Sequence, residues 1–329
     1  MNQIRVLEAD PQDPKAAFAL DVLLGLSGKP RSLPSHWFYD DEGSRLFQRI
    51  MATPEYYPTR CEAEILVASA DRIAEQVGPG PISVVELGAG DGTKTRLLLA
   101  ALRRRGVAFR YLPVDISAGA LESLSATMTD AFPDLAFEGL VSEYFTALHW
   151  LGQQGTERKL VLFLGSNIGN FNRPKSRVFA RTMWNALRHD DLALIGFDLK
   201  KDVDVMLAAY NDKEGVTSAF NLNLLRRINR ELGGRFDLDG FSHFGTYNVF
   251  SGAMESYLLS LREQTVAIEA LGTSFAFKPF EPIHVEYSFK YLDHDIHDMA
   301  NETGFSVVDL FRDKKQWFAD ALWRVEKHK

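Results

Sequence analysis

The 329-residue sequence contains a single cysteine, Cys61, which excludes an intrachain disulfide and a cluster of thiolate metal ligands. It lacks any apolar run near the roughly 18 residues that cross a bilayer, and its start, MNQIRVLEADPQD, lacks the apolar core of a signal peptide. Basic residues are fewer than acidic ones, 37 against 44, and form no stripe suited to a phosphate backbone. We therefore expect a cytoplasmic monomer that acts on a small molecule and binds no membrane, nucleic acid or metal.

The composition is that of an ordinary globular protein, with 46% apolar and 25% charged residues. From Ser83 onwards, short apolar runs alternate with segments of helical periodicity, which predicts a parallel sheet flanked by helices. The predicted strands are SVVEL, FRYLPVDIS, KLVLFLGSNIGNF and LALIGFDLKKD. Such an alternation is typical of a doubly wound α/β fold.

The C-terminal segment departs from this pattern. FSVVDLFRD and WFADALWRV are separated only by KKQ, and so short a connection joins antiparallel strands. A parallel sheet that ends in an antiparallel hairpin is typical of class I methyltransferases. Because the alternation is lost between Lys200 and Lys290, we predict two domains. Residues 61–199 and 291–329 would form the cofactor-binding core, and residues 1–60 and 200–290 a smaller α+β substrate-binding domain.

A glycine-rich turn, in VVELGAGDGTKT, follows the first predicted strand. Gly88 and Gly90 would let the backbone approach a ligand closely, but the spacing is G-x-G-x-G and not the dinucleotide-binding G-x-G-x-x-G. Glu86 and Asp91 would repel a pyrophosphate, whereas the sulfonium of S-adenosylmethionine is a cation. Asp115 ends the second predicted strand, where a carboxylate can accept ribose hydroxyls. These features predict S-adenosylmethionine as the cofactor, with NAD as a weaker alternative.

Several further segments resemble the histidine-specific S-adenosylmethionine-dependent methyltransferase family, from about Ser35 to the C terminus. These segments are WFYDDEGSRLF, PEYYPTR, GSNIGNF, AYNDKEGVT, FNLNLLRRINREL and VEYSFKY. The resemblance implies transfer of up to three methyl groups to the α-amine of L-histidine, which yields hercynine in ergothioneine biosynthesis.

The resemblance also implies a set of cofactor residues. Together with the glycine turn, it gives Tyr39, Gly88, Gly90, Lys94, Asp115, Glu143 and Tyr144. Glu143 stands near the adenine position, where the family has aspartate; glutamate is longer but can still accept a hydrogen bond from the adenine amino group.

The substrate residues implied by the resemblance are Tyr56, Asn170, Tyr210, Ser256, Glu286 and Ser288. Asn170 and Tyr210 match residues that hold the α-carboxylate. Glu286 and Ser288 match the pair that recognises the imidazole, and Tyr56 lies near the amine and the ring. Tyr39 and Tyr56 are the catalytic candidates, because the amine must lose a proton before it attacks.

Ser256 stands where histidine enzymes of the family have methionine. A smaller side chain enlarges the pocket, so a bulkier aromatic amino acid, such as tryptophan or a derivative, is an alternative substrate. A non-catalytic ligand-binding protein of the same fold is a more distant alternative.

Overall fold

The computed structural model describes residues 3–7 and 13–327, and these residues divide into two compact units. Unit 1 holds residues 3–7, Pro58–Lys200 and 290–327. Unit 2 holds residues 13–57 and Lys201–Phe289. None of the helices in the described residues is long and apolar enough to cross a membrane.

The strands are Gln3–Val6 (β1), Arg31–Ser32 (β2), Ile82–Leu87 (β3), Phe109–Asp115 (β4), Ala136–Val141 (β5), Arg158–Phe163 (β6), Leu192–Asp198 (β7), Phe241–Asn248 (β8), Ala253–Ser260 (β9), Gln264–Ile268 (β10), Thr273–Phe277 (β11), Pro282–Phe289 (β12), Phe305–Arg312 (β13) and Phe318–Val325 (β14). The α-helices are Pro14–Ser27 (α1), Asp41–Ala52 (α2), Pro58–Val77 (α3), Thr95–Arg104 (α4), Ala118–Ala131 (α5), Tyr144–Gly152 (α6), Arg173–Ala186 (α7), Val203–Tyr210 (α8), Val216–Leu232 (α9) and Asp293–Thr303 (α10). Short 3₁₀ helices span Ser35–Phe38, Asn167–Asn170, Leu238–Gly240 and Glu269–Leu271.

Unit 1 is built on an eight-stranded sheet in the order β1-β5-β4-β3-β6-β7-β14-β13. The six strands from β1 to β7 in this order run parallel, and β2 is not among them. Strand β14 pairs antiparallel with both β7 and β13. The predicted doubly wound fold with an antiparallel terminal hairpin is therefore confirmed. From β3 the chain moves first towards β4 and β5, and later, from β6, in the opposite direction. The carboxyl end of β3 thus lies at the switch point of the sheet, where ligands of open α/β folds bind.

Two strands of this sheet were missing from the sequence prediction. β5, AFEGLV, contains a glutamate and a glycine and so lacks a continuous apolar run. β1, QIRV, is a short and largely exposed edge strand that pairs parallel with β5. Residues 3–6 therefore belong to unit 1, and the prediction that places all of 1–60 with the substrate-binding domain is wrong for this strand. An edge strand with little burial carries no hydrophobic pattern by which it could be recognised.

Unit 2 contains a four-stranded sheet in the order β2-β12-β9-β8 and a two-stranded ribbon of β10 and β11. Buried side chains from α1, α2 and α9 join those of the sheet and ribbon in one hydrophobic core. Near the middle of β12 the register with β9 shifts between His284 and Glu286, which marks a β-bulge. Beyond the bulge, Glu286 pairs with Ser256, whereas before it Ile283 pairs with the core residue Leu258. Because residues two apart on β9 share a face, the bulge turns Glu286 towards the face of the core.

Candidate active site

The glycine turn after β3 has the left-handed backbone that favours glycine. The φ angles of Gly88, Gly90 and Gly92 are 77°, 54° and 67°. A Cβ on Gly92 would lie 2.3 Å from Leu124 and 2.5 Å from Met128, so this glycine lets the turn pack closely against α5. At Gly90, by contrast, no atom of the described chain beyond the two neighbouring residues lies within 4 Å of a Cβ position. The turn is therefore packed on one side and open on the other.

Asp115, the last residue of β4, is joined to this turn by hydrogen bonds. Its carboxylate accepts from the backbone N–H of Ser117 at 3.0 Å and from the backbone N–H of Gly90. Burial raises the pKa of Asp115, although these N–H donors counteract the effect. A carboxylate held beside an open glycine turn is suited to bind a pair of hydroxyls.

Tyr144 brings an aromatic ring to the same edge of the sheet. A Cβ on Gly88 would lie only 2.7 Å from the Tyr144 hydroxyl, so the glycine leaves room for that ring. The ring packs edge-on against Phe163, with 5.3 Å between the ring centroids. Burial and the nearby charge of Asp115 raise the pKa of Tyr144, so its hydroxyl stays neutral. The side chain of Glu143, one residue earlier, is exposed.

Lys94 lies at the start of α4, directly after the turn. Its ammonium forms an ion pair with Glu62 of α3, a carboxylate that is fully buried. Burial lowers the pKa of Lys94, but the charge and hydrogen bond of Glu62, together with the nearby Asp320 and Glu86, outweigh this and raise it, so the cation persists at neutral pH. Lys94 thus supplies a fixed positive charge next to the turn.

Glu86 does not face the open side of the turn, contrary to the argument from charge repulsion. Its carboxylate is 3% exposed and accepts hydrogen bonds from Thr95 Oγ1 at 2.5 Å and from the Tyr111 hydroxyl. Burial raises the pKa of Glu86 to about 7. Glu86 therefore fixes the turn and the first residue of α4, and only the exposed Asp91 retains the electrostatic role inferred from the sequence.

Asn170 is also part of unit 1. It ends the 3₁₀ helix Asn167–Asn170, which follows β6, and it is half-buried. The loop before this helix has positive φ at Gly165 and Ser166, 76° and 58°. The Tyr291 hydroxyl donates to the carbonyl of Ile168 at 3.2 Å and so holds this 3₁₀ helix in place.

In unit 2, Tyr39 and Tyr56 both pack edge-on against Phe47, with ring centroids 5.7 Å and 6.1 Å away. The backbone beside Tyr39 is fixed by Asp40, which caps α2 by accepting from the N–H of Gly43 at 2.7 Å. Burial raises the pKa of Asp40, but hydrogen bonds from Arg230 and other donors lower it below its usual value. The two predicted catalytic tyrosines therefore both contact Phe47 of α2.

The other predicted substrate residues of unit 2 form two pairs. The buried Tyr210, which ends α8, donates to Ser288 Oγ at 2.6 Å. On the neighbouring strands, Ser256 Oγ lies 3.5 Å from a carboxylate oxygen of Glu286. Four residues drawn from α8, β9 and β12 are therefore brought together in one unit.

Comparison with known proteins agrees with this geometry. A family model described as histidine-specific methyltransferase, SAM-dependent, matches residues 18–325. The chain belongs to this family. It is 39% identical to the histidine N-alpha-methyltransferase of Mycolicibacterium smegmatis over 90% of this chain and 91% of that protein. It is 32% identical to ergothioneine biosynthesis protein 1 of Neurospora crassa over 85% of this chain and 32% of that protein. It is 28% identical to a 4-dimethylallyltryptophan N-methyltransferase of Claviceps fusiformis over 86% of this chain and 85% of that protein.

Membership of this methyltransferase family confirms the predicted cofactor, S-adenosylmethionine, and the predicted class of enzyme. The residues of unit 1 fit that cofactor, because the turn is open at Gly90 and a carboxylate, Asp115, stands beside it. The individual roles of the site residues remain proposals.

Several residues that shape the site of this methyltransferase were not predicted. Phe47 is the aromatic contact shared by the two tyrosines, and the side-chain amide of Asn167 would lie 3.2 Å from a Cβ on Gly88. Glu62 and Asp320 are carboxylates with no exposed surface. The last two carried a signal: each is an acid on the apolar face of its helix or strand, a position where an unpaired acid is rare.

Proposed function

We propose that this enzyme transfers methyl groups from S-adenosylmethionine to the α-amine of L-histidine, up to three times, and yields hercynine for ergothioneine biosynthesis. One observation carries the substrate assignment. The bulge in β12 turns Glu286 to the face that holds Ser256, and their side chains approach to 3.5 Å. A carboxylate there can accept the imidazole N–H of histidine, and it would match an indole or a phenol less well.

Most of the residues proposed to bind the cofactor lie in unit 1, and most of those proposed to bind the amino acid lie in unit 2. S-adenosylmethionine supplies a methyl group bound to a positively charged sulfur. In unit 1, Asp115 would accept the ribose hydroxyls, and Gly88 and Gly90 would allow the backbone close approach. The exposed Glu143 would accept from the adenine amino group beside the ring of Tyr144. Lys94 is proposed to attract the carboxylate of the methionine part.

The α-carboxylate of histidine is proposed to bind Asn170 and Tyr210, both uncharged donors. Because neither side chain is charged, neither forms an ion pair with the protonated amine. The amine can therefore lose its proton and attack. Methyl transfer is a displacement that needs alignment and exclusion of water, and it needs no strong base in the displacement itself. Tyr39 and Tyr56 are proposed to take the proton, directly or through water. Their aromatic faces also attract the methylated ammonium, by about 0.5 to 2 kcal/mol.

A second candidate substrate is a bulkier aromatic amino acid. Ser256 is small and almost completely buried, which leaves more space than the methionine expected in histidine enzymes. The relative named for 4-dimethylallyltryptophan methylation is consistent with this option. Glu286 favours histidine, because a half-buried carboxylate stabilises an imidazole, which can take up a proton and become a cation, more than an indole, which stays neutral.

Incubation with S-adenosylmethionine and each of the twenty amino acids, followed by mass spectrometry, tests the proposal. The mass of histidine should increase by about 14, 28 and 42 units as it gains one, two and three methyl groups. Methylation of another amino acid in the absence of methylated histidine would contradict it. The cytoplasmic location and the monomeric state remain predictions.

A further inference from the structure

Two carboxylates, Glu62 and Asp320, lie buried next to each other in unit 1, and both side chains are 0% exposed. Glu62 comes from α3, and Asp320 from β14, where it pairs in register with Gly196 of β7. A Cβ on Gly196 would lie 2.4 Å from Glu62 Oε1, so the missing side chain makes the space for this carboxylate. Strand and helix are therefore shaped to accept a buried acid at this point.

Glu62 links two segments that belong to the site. One oxygen accepts from the backbone N–H of Gly165 at 2.7 Å, in the loop that leads to Asn170. The other oxygen forms the ion pair with Lys94, directly after the glycine turn. One carboxylate thus holds both the cofactor turn and the loop before the proposed carboxylate ligand.

Asp320 is a buried acid without a donor. Among residues 3–7 and 13–327, no N–H or O–H group donates to either of its carboxylate oxygens. The charged groups that face it are Glu62 and Lys94. Burial and the negative charge of Glu62 raise the pKa of Asp320 well above its usual value, whereas Lys94 counteracts them. Asp320 therefore holds its proton to a higher pH than an ordinary aspartate does, and that proton has Glu62 as an acceptor.

The charges of this cluster then balance. The ion pair of Lys94 and Glu62 has no net charge, and Asp320 adds none while it holds its proton. An ionised Asp320 would place a second buried anion beside Glu62. It would also compete with Glu62 for the ion pair with Lys94. A neutral donor at position 320 stabilises Glu62 without competing for Lys94.

We propose that Glu62, which lies beside the buried Asp320, is a positioning residue for cofactor binding that fixes Lys94 and the Gly165 loop in one arrangement. The inference rests on the proposed function in one respect, namely that Lys94 takes part in binding the cofactor. It does not depend on which amino acid is methylated.

Calorimetric titration with S-adenosylhomocysteine at pH 7 tests the role of Glu62. In Glu62→Gln, the amide oxygen can still accept from Gly165, but the negative charge beside Lys94 is lost. We expect the Kd to rise by about tenfold, as for loss of one charge-assisted hydrogen bond. Glu64→Gln, at a partly exposed acid on the same helix, should change the Kd by less than about twofold. A Glu62→Gln protein that melts earlier but binds with wild-type Kd would overturn the proposal.

Two substitutions at position 320 test whether a hydrogen-bond donor beside Glu62 is needed for cofactor binding. Asp320→Asn keeps a neutral side chain that can donate to Glu62, whereas Asp320→Leu is similar in size and cannot donate. We expect Asn to bind S-adenosylhomocysteine close to the wild-type Kd, and Leu to weaken binding by about fivefold or more. Equal binding by both variants, whether strong or weak, would overturn the role of the proton.

These measurements separate the inference from the proposed function. A wild-type protein that binds S-adenosylhomocysteine but leaves histidine unmethylated contradicts the proposed substrate and leaves the role of Glu62 open to the same titration. A wild-type protein that methylates histidine while Glu62→Gln binds normally contradicts only the inference.

Discussion

The hydroxyl of Tyr210 donates a hydrogen bond of 2.6 Å to Oγ of Ser288, although the two residues lie 78 positions apart in the chain. Their predicted roles concern opposite ends of the substrate, the α-carboxylate for Tyr210 and the imidazole for Ser288. A buried hydroxyl pair is polarised by whatever either member binds. The two ends of the proposed histidine site are therefore coupled through one hydrogen bond inside unit 2.

Replacing Tyr210 by Phe should weaken histidine binding. The change removes the hydroxyl whose single proton is donated to Ser288 in this structure and is proposed to turn to the carboxylate when the substrate binds. We expect the KM for histidine to rise by about 10- to 100-fold, as for a lost hydrogen bond to a charged group, while the Kd for S-adenosylhomocysteine stays constant. Tyr287→Phe, on the exposed side of β12, is the matched control and should behave as wild type. An unchanged KM in Tyr210→Phe would contradict the assigned role.

Glu286 provides the test that separates the two candidate substrates. Glu286→Ala should lower kcat/KM for histidine by about 100-fold, because the imidazole N–H loses its charged acceptor. The exposed Glu263→Ala serves as the control and should have no effect. If the natural substrate is a bulkier aromatic amino acid, methylation of that compound should survive the loss of Glu286 almost unchanged. Steady-state kinetics with histidine and tryptophan side by side distinguishes these outcomes.

The fold of unit 1 could be predicted because its signals are local. The strand that ends at Asp115 and the hairpin after Phe305 were recognised from apolar runs and from a connection too short for a parallel crossover. The glycine turn was recognised in the same way, since positive φ angles require glycine at Gly88, Gly90 and Gly92.

What the sequence could not provide was the direction in which side chains point. Strict alternation along VEYSFKY gives no indication that a bulge turns Glu286 towards the face of Ser256; only the register with β9 shows it. The prediction for Glu86 was wrong in the opposite sense, because a side chain expected to face the ligand is buried. It was assigned to the ligand side of the turn by proximity in sequence, but hydroxyls from Thr95 and Tyr111 hold it inside. Such contacts depend on tertiary packing and have no local signature.

Close packing at the turn predicts a large loss of stability for Gly92→Ala. The new Cβ would approach Leu124 to 2.3 Å, and the residue would also keep an unfavourable positive φ. We expect the free energy of unfolding to fall by about 2 to 4 kcal/mol. Gly155→Ala is the control, because no described atom lies within 4 Å of its Cβ position. Urea denaturation measures both, and equal stability of the two variants would show that α5 moves to accommodate the methyl group.

Glu86 should make the stability of the protein depend on pH. Burial raises its pKa from 4.5 to about 7 in the folded state. A carboxyl whose folded pKa is raised binds its proton more tightly in the folded state, so its contribution is complete below about 4.5 and is lost as the pH rises through about 7. Relative to Glu86→Gln, the wild-type protein should therefore lose up to about 3 kcal/mol of unfolding free energy over this interval.

Urea unfolding measures this difference. The wild-type protein and Glu86→Gln are compared at about pH 5, 6, 7 and 8. The difference should decline across the series and level off above about pH 8. Glu64→Gln, which removes a partly exposed carboxylate near Lys314, is measured alongside as a control for the loss of an acid. A difference that grows with pH would mean that the hydroxyls of Thr95 and Tyr111 stabilise the ionised carboxylate more than burial destabilises it, and that Glu86 is charged beside the cofactor turn.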